Sequence, residues 1–225
     1  MNTAIAVGEP LLITGEAGTG KTQAAYYAAY KLGVEPVIHF QVKSDCTARD
    51  LLYHFDTVGY FHDANMAQKQ APVAEGNCPP PLDKHKYVEQ RPLWTAFDEA
   101  KKTGLPRVVL IDEIDKAPRD FPNDLLHELD KMEITVRETG DKIEAPRHLR
   151  PVVFITSNSE RRLPEPFLRR CVYHHIVFDD KILEEAVAAR RDELSRLNDE
   201  VIRMAIRCFR AIRNRSPRKK PATGE

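Results

Sequence analysis

The glycine-rich segment at residues 15–22, GEAGTGKT, restricts the folds open to this chain more than any other part of its sequence. An apolar run at residues 11–13 precedes it, and a helix-forming run at residues 23–29 follows it. This order predicts a strand, a glycine loop and a helix, with the pattern G-x-x-x-x-G-K-[ST] at the turn. Backbone N–H groups of such a loop point into one hollow, and the helix N-terminus adds positive potential there. The segment therefore predicts a phosphate-binding loop.

In this interpretation Lys21 contacts the β- and γ-phosphates of ATP, and the Thr22 hydroxyl holds Mg²⁺. A plain glycine turn is the alternative, but the flanking strand and helix argue against it. The predicted cofactor-binding residues of the loop are Gly15, Glu16, Ala17, Gly18, Thr19, Gly20, Lys21 and Thr22.

Residues 107–113, RVVLIDE, join an apolar, β-branched run to two adjacent carboxylates, Asp112 and Glu113. The run is typical of a central parallel strand that is buried on both faces. Ligands of open α/β sheets bind at the carboxyl ends of the strands, where this pair would lie. We therefore expect Asp112 to order Mg²⁺ through its waters and Glu113 to accept a proton from the attacking water. The alternative is a strand that runs into a solvated acidic turn.

A further buried strand is predicted at residues 151–158, and it ends in a polar residue, Asn158. An amide at such a strand end can orient a nucleophilic water, although an asparagine can also simply begin a turn. Residues 118–132 place apolar side chains on one helical face, and residues 134–137 and 142–144 flank a glycine turn as a β-hairpin would.

Three other segments yield weaker predictions. Residues 54–91 contain glycines and several prolines, so we expect no long regular element there. That segment is either a functional loop, lining a pore or docking a partner, or a disordered insertion. A last strand at residues 172–178 contains His174 and His175, of which one is expected to be a hydrogen-bonded core histidine rather than a zinc ligand. From residue 180 onward the pattern is helical.

Composition excludes several classes of protein. Lys+Arg and Asp+Glu both number 34, so the net charge of zero indicates neither a nucleic acid nor an anionic membrane as partner. The basic stretch at residues 207–220 lacks interleaved aromatic residues and is a weak nucleic-acid signal. We find no apolar run long enough for a membrane span, and no signal peptide. The four scattered cysteines form no C-x-x-C pair, which favours free thiols and a cytoplasmic location.

With these landmarks placed, the sequence resembles the MoxR branch of the AAA+ ATPases over nearly its whole length. The resemblance rests on GEAGTGKT at 15–22, VVLIDEIDKAPRDFPNDLL at 108–126, ITSNSERRLPEPFLRRC at 155–171 and RKKPAT at 218–223. It implies an α/β P-loop NTPase with a five-stranded parallel sheet flanked by helices at residues 1–178, and a partial α-helical lid at residues 179–225. The hairpin near 134–144 resembles the insert in the second core helix that marks this branch.

The resemblance also implies roles for single residues. Lys21 and Thr22 match the Walker A motif, whereas Asp112 and Glu113 match Walker B. Asn158 matches the sensor 1 position. Two further assignments concern arginines: Arg170 matches the arginine finger, with its neighbour Arg169 as the second candidate, and Arg218 matches the basic sensor 2 residue of the lid.

Members of this branch usually form rings, commonly hexamers, with nucleotide at the subunit junctions. The resemblance therefore implies an ATP-hydrolysing, Mg²⁺-dependent subunit that remodels a protein client or inserts a cofactor into it, often beside a von Willebrand factor A-domain partner. A nucleotide-dependent regulatory or binding module with little turnover is the alternative. A small-molecule kinase is disfavoured by the Asn-tipped strand followed by Arg169 and Arg170. Compared with the family, the chain begins close to its first strand and ends soon after Arg218, which implies a fragment or a minimal version.

Overall fold

The computed structural model of the chain describes residues 1–70, 82–190 and 198–215. Within these residues the strands, in chain order, are β1 (Leu11–Gly15), β2 (Ile38–Gln41), β3 (Tyr53–Phe55), β4 (Val88–Gln90), β5 (Val108–Asp112), β6 (Glu133–Thr135), β7 (Lys142–Glu144), β8 (Val152–Ser157) and β9 (Val172–Ile176). The α-helices are α1 (Asn2–Val7), α2 (Lys21–Leu32), α3 (Arg49–Leu52), α4 (Thr57–Gln70), α5 (Pro92–Thr103), α6 (Phe121–Asp124), α7 (Leu126–Lys131), α8 (Glu165–Leu168), α9 (Asp180–Ala189) and α10 (Asp199–Asn214).

The central feature is a five-stranded parallel sheet in the order β2-β5-β8-β1-β9. The three inner strands are apolar on both faces because helices cover both sides of the sheet. Alternate residues of β5 show this division. Val109 and Ile111 face a core that includes Phe97 of α5, whereas Val108 and Leu110 pack against the alanines of α2. The predicted α/β P-loop fold, with helices flanking a five-stranded parallel sheet, is confirmed.

The sheet order brings the ends of three strands together at one edge of the fold. β1 lies between β8 and β9, and β8 lies between β1 and β5. Since all of these strands are parallel, the glycine loop after β1, the carboxylates after β5 and the polar tip of β8 emerge on the same side. Helices α9 and α10 follow β9 and form the helical C-terminal part.

The expectation for residues 54–91 is wrong where these residues are described. α4 extends over 14 residues, and β3 pairs with β4 in antiparallel register, Tyr53 opposite Gln90. The glycine that suggested a break, Gly59, lies in the first turn of α4, where its N–H donates to Oδ1 of Asp56 at 2.9 Å. This side-chain cap satisfies a helix-end donor, so the glycine does not end the helix. The proline-rich residues 72–81 lie outside the described residues.

The segment 53–90 also corrects the predicted position of the insert. α3 ends at Leu52 and α5 begins at Pro92, and the Arg91 N–H donates to the Leu52 carbonyl at 3.2 Å. The second helical connection of the core, between β2 and β5, is therefore interrupted by the unit β3–α4–β4. The hairpin predicted near 134–144 exists as β6–β7, but it follows α7 and does not interrupt that connection.

Residues 118–132 form two short helices, α6 and α7, that meet at Leu125, instead of the single helix predicted. The apolar face is nevertheless the predicted one, because Phe121, Leu125 and Leu129 are all buried. The periodicity identified the buried side chains correctly, whereas it could not detect the change of backbone direction between the two helices.

The histidine pair in β9 differs from expectation. β9 is an edge strand, and both His174 and His175 are exposed, so neither is a core histidine. Nδ1 of His175 lies 2.8 Å from Oγ1 of Thr14 on the neighbouring strand. Among the described residues, no group of His, Cys, Asp and Glu side chains forms a metal cluster. Among the described helices, none combines the length and the apolar character of a membrane span.

Candidate functional site

The glycine loop joins β1 to α2 and holds the lysine of the motif at the first position of the helix. Gly20 adopts a left-handed conformation, φ 85°, at the N-cap of α2, where a larger residue would be strained. Gly15 has no room for a side chain, since a Cβ there would lie 2.7 Å from the Ile176 carbonyl oxygen. These two glycines fix the path of the loop between β1 and α2.

Lys21 is the buried cation of the loop. Its side chain folds back so that Nζ donates to the carbonyls of Gly15 at 2.9 Å and Glu16 at 2.7 Å. Burial lowers the pKa of Lys21, and the nearby Asp115, Asp112 and Glu113 oppose that shift. A phosphate oxygen at the loop would offer this ammonium a charged acceptor in place of two neutral carbonyls, which is a stronger hydrogen bond.

The hydroxyl and carboxylate predicted to hold magnesium lie together. Oγ1 of Thr22 donates to Oδ1 of Asp112 at 3.0 Å, and Asp112 is only 7% exposed at the end of β5. Oxygen donors of this kind are the ligands that Mg²⁺ prefers, and the metal usually keeps several waters beside one or two carboxylates. The donor set therefore fits a magnesium ion that also contacts phosphate oxygens.

Thr156 of β8 connects the Asp112 carboxylate to the backbone of Glu113 and was not predicted. Its Oγ1 donates to Oδ1 of Asp112 at 2.5 Å and accepts the backbone N–H of Glu113 at 2.9 Å. The parallel register sets this position, because Ile111 pairs with Ile155 and the next residues of each strand lie side by side. No local motif marks this threonine, so it could have been found only from the order of the strands.

Glu113 directly follows β5 in an unusual backbone conformation. Its φ of 60° and ψ of 51° lie in the left-handed region, which costs a non-glycine residue about 1 kcal/mol or more. Oε2 accepts from Nε2 of Gln41 at 2.7 Å and from Nζ of Lys116 at 2.5 Å. The hydrogen bond from Lys116 to the Glu113 carboxylate raises the pKa of Lys116. The carboxylate is thus fixed by residues that the sequence did not single out.

Asn158 reaches the same carboxylate from β8. Its Nδ2 donates to Oε1 of Glu113 at 3.1 Å, which places the amide beside the predicted general base. The loop that carries it is held by Asp115, a buried carboxylate that accepts the N–H groups of Asn158 at 3.3 Å and Glu160 at 3.0 Å. Asp115 is 3% exposed and was missed, because an acidic residue in a polar turn carries no signal by itself.

A cavity of about 330 Å³ lies between the loop and these strand ends. It brings together most of the predicted residues with one that the sequence did not indicate, Arg190, which follows α9. The lining residues are Ala17, Gly18, Gly20, Lys21, Thr22, Gln23, Asp112, Glu113, Thr156, Asn158 and Arg190.

The predicted finger arginines lie away from this cavity. Arg170 donates from Nε to Oδ2 of Asp130 at 2.5 Å and from Nη1 to the Pro166 carbonyl at 3.1 Å. Arg169 pairs with Glu165 at 3.0 Å on the exposed side of α8. Neither side chain lines the cavity of its own chain. Arg218, the predicted sensor 2 residue, lies outside the described residues.

Comparison with known proteins agrees with this architecture. The family model described as "AAA domain (dynein-related subfamily)" matches residues 10–171. The crystal structure of a "putative ATPase" from Cytophaga hutchinsonii superposes with a TM-score of 0.53 at 18% sequence identity. The match covers 87% of this chain and 48% of that one, so the chain spans about half the length of the solved structure. At this identity the likeness concerns the fold alone. No curated protein matches the chain.

Proposed function

Because the chain belongs to the AAA domain family, in its dynein-related subfamily, we propose that it binds ATP with Mg²⁺ in the cavity between residues 15–22 and the ends of β5 and β8, and that it hydrolyses ATP there. One observation carries the proposal. A buried ammonium, a hydroxyl–carboxylate pair, a second carboxylate and an amide all converge on the same cavity. This is the set that phosphoryl transfer to water needs.

Each side chain has a distinct task in this proposal. Lys21 exchanges its two loop carbonyls for oxygens of the β- and γ-phosphates. Thr22 and Asp112 hold Mg²⁺, which neutralises charge on the phosphate oxygens when it is bound. Glu113 accepts the proton of the attacking water at a carboxylate oxygen, and Asn158 keeps both that carboxylate and the water in line with the γ-phosphorus. Arg190 adds a cation to the wall of the cavity.

The pairing of Glu113 with Lys116 and Gln41 distinguishes its two carboxylate oxygens. In this arrangement Oε2 already accepts two hydrogen bonds. Oε1 faces Asn158 and is the oxygen that would accept the proton.

We further propose that Arg170 acts on the ATP of a neighbouring subunit in a ring. Arg170 is half exposed and remote from the cavity of its own chain, as an arginine donated across an interface would be. Such an arginine stabilises the charge that develops on the γ-phosphate and contributes roughly 10³–10⁵ in rate. A lone subunit should then hydrolyse ATP poorly.

The test is the ATPase rate per subunit as a function of protein concentration. Wild type should show a steep rise, and both Glu113→Gln and Arg170→Ala should abolish it while nucleotide still binds. Arg169→Ala is the matched control, because it removes an adjacent arginine and should retain most of the activity. Equal losses for the two arginine variants would contradict the assignment of Arg170. Tight ATP binding without turnover at any concentration would instead support a regulatory or binding module.

The finer functional assignment follows the resemblance to MoxR proteins. We propose a ring, hexameric in the usual case, that couples hydrolysis to remodelling of a protein client or to cofactor insertion, beside a von Willebrand factor A-domain partner. Residues 1–178 would form the nucleotide-binding core, and residues 179–225 the lid. Electron microscopy of the protein with a slowly hydrolysed ATP analogue would test the ring, and particles that remain single subunits would contradict it.

A further inference from the structure

An arginine of helix α10 contacts the phosphate-binding loop. Arg213, in the last turn of α10, forms an ion pair from Nη2 to a carboxylate oxygen of Glu16, the second residue of the loop. Glu16 and Arg213 are 197 residues apart in sequence. This contact therefore joins two elements that are far apart in the sequence.

An aromatic platform holds the guanidinium in place. Its central carbon lies 3.8 Å from the ring centroid of Phe178, the residue two positions beyond β9. Phe209, one turn earlier on α10, packs against the same ring with a centroid separation of 6.1 Å. The Arg213 side chain is only 13% exposed, so its charge is largely removed from water. A planar guanidinium suits both the stacked face and the carboxylate, whereas a lysine ammonium could not match both.

The partner of this arginine is central to the loop. The backbone carbonyl of Glu16 accepts from Nζ of Lys21 at 2.7 Å and from Oγ1 of Thr19 at 2.8 Å. Glu16 thus links two side chains of the nucleotide loop through its backbone and α10 through its carboxylate. Fixing its side chain restricts the loop at the residue to which the buried lysine is bound.

We propose that Arg213 is a positioning residue for the phosphate-binding loop, acting through Glu16 with Phe178 as its support. Docking of α10 holds the loop in the conformation that receives phosphate, so binding costs less conformational entropy. The inference rests on the proposed function only in that the loop binds nucleotide. The new element is that the position of α10 and the affinity of the loop for nucleotide are coupled.

The experiment is a double-mutant cycle on the full chain, with the affinity for a fluorescent ATP analogue as the readout. Glu16→Gln and Arg213→Gln should each weaken binding by about threefold to tenfold, the range for a partly exposed ion pair with a stacked arginine. The double variant should be no weaker than either single variant, because each change already removes the shared contact. Arg213→Lys keeps the charge and should recover part of the affinity.

A second ion pair of the same helix supplies the control. Arg210 donates from Nη2 to Oε1 of Glu184 at 2.9 Å and connects α10 to α9. Arg210→Gln makes the same charge change on α10 at the ion pair with Glu184, so it should leave the affinity near that of wild type. An equal loss for Arg210→Gln would mean that α10 acts only as a structural support, and it would overturn the proposal.

Amide hydrogen exchange without nucleotide separates this inference from the proposed function. Arg213→Gln should speed exchange at residues 16–20 and in the last turns of α10, whereas Arg210→Gln should leave residues 16–20 unchanged. If the wild-type protein fails to bind ATP while this exchange pattern holds, the proposed function is wrong and the coupling of helix to loop remains. If wild type binds and all variants bind and exchange alike, the coupling is wrong.

Discussion

Replacing Thr156 by valine tests how far the Asp112 carboxylate and the backbone of Glu113 depend on one buried hydroxyl. Thr156 is 1% exposed, and valine has nearly its shape, so the change removes two hydrogen bonds with little change in volume. The first is the 2.5 Å bond to the Asp112 carboxylate, and the second is the 2.9 Å bond from the Glu113 N–H. A hydrogen bond to a charged group contributes about 1.5–3 kcal/mol, and a buried N–H left without a partner costs about 1–3 kcal/mol.

The two contributions do not add fully, because Thr22 also donates to Asp112 and valine is more apolar than threonine. We therefore expect Thr156→Val to lower the free energy of unfolding by about 2–4 kcal/mol. The measurement is urea denaturation of the nucleotide-free protein, followed by circular dichroism. The midpoint should fall at an unchanged slope.

Thr156→Ser is the matched variant, because it keeps the hydroxyl and deletes one methyl group. Its expected cost is about 1 kcal/mol, from the lost apolar contact and the small void. The relative stability of the valine and serine variants decides between hydrogen bonding and packing. If the serine variant were less stable than the valine variant, packing rather than hydrogen bonding would account for the role of Thr156, and the reasoning would be refuted.

Three further predictions concern other parts of the molecule. Asp115→Asn should leave the loop at Asn158 less ordered, because its amide has one acceptor oxygen where the two carboxylate oxygens each accept a backbone N–H. ATPase activity should fall at least tenfold while the free energy of unfolding falls by about 1–2 kcal/mol, and unchanged activity would contradict this. Burial raises the pKa of the Cys171 thiol to about 12. At pH 8 iodoacetamide should therefore alkylate Cys171 far more slowly than the exposed Cys208, as read by peptide mass spectrometry. Equal rates would contradict the burial of Cys171. Phe97→Ala should cost about 3–5 kcal/mol in urea unfolding, because this fully buried ring packs against the central sheet, whereas a cost below about 1 kcal/mol would be inconsistent with that position.

The sequence predicted the sheet and the convergence of its functional side chains for a definite physical reason. Apolar runs identify the buried strands, and parallel strands must end on one side, so Lys21, Asp112, Glu113 and Asn158 were expected to lie together. The structure brings them to one cavity. Their chemical roles stay predictions until the variants above are measured.

Other features could not be predicted, because they depend on contacts between distant segments. Thr156 acquires its partners from the strand order, and Asp115 from the return of the loop after β8. α4 was not predicted because its apolar periodicity is weak. In addition, the cap at Asp56, which binds the N–H of Gly59, is a local hydrogen bond and not a sequence pattern. Arg190 reaches the cavity only through the position of α9.

The unit β3–α4–β4 leaves and re-enters the core at nearly one point. The carbonyl of Leu52 accepts the N–H of Arg91, and the first and last residues of the unit, Tyr53 and Gln90, face each other across a two-stranded ladder. With entry and exit side by side, a change of length beyond the ladder adds little closure entropy and moves no sheet strand. The sequence and length of this unit beyond the ladder can therefore change during evolution, and with them the surface it presents, while the sheet and the candidate site keep their geometry.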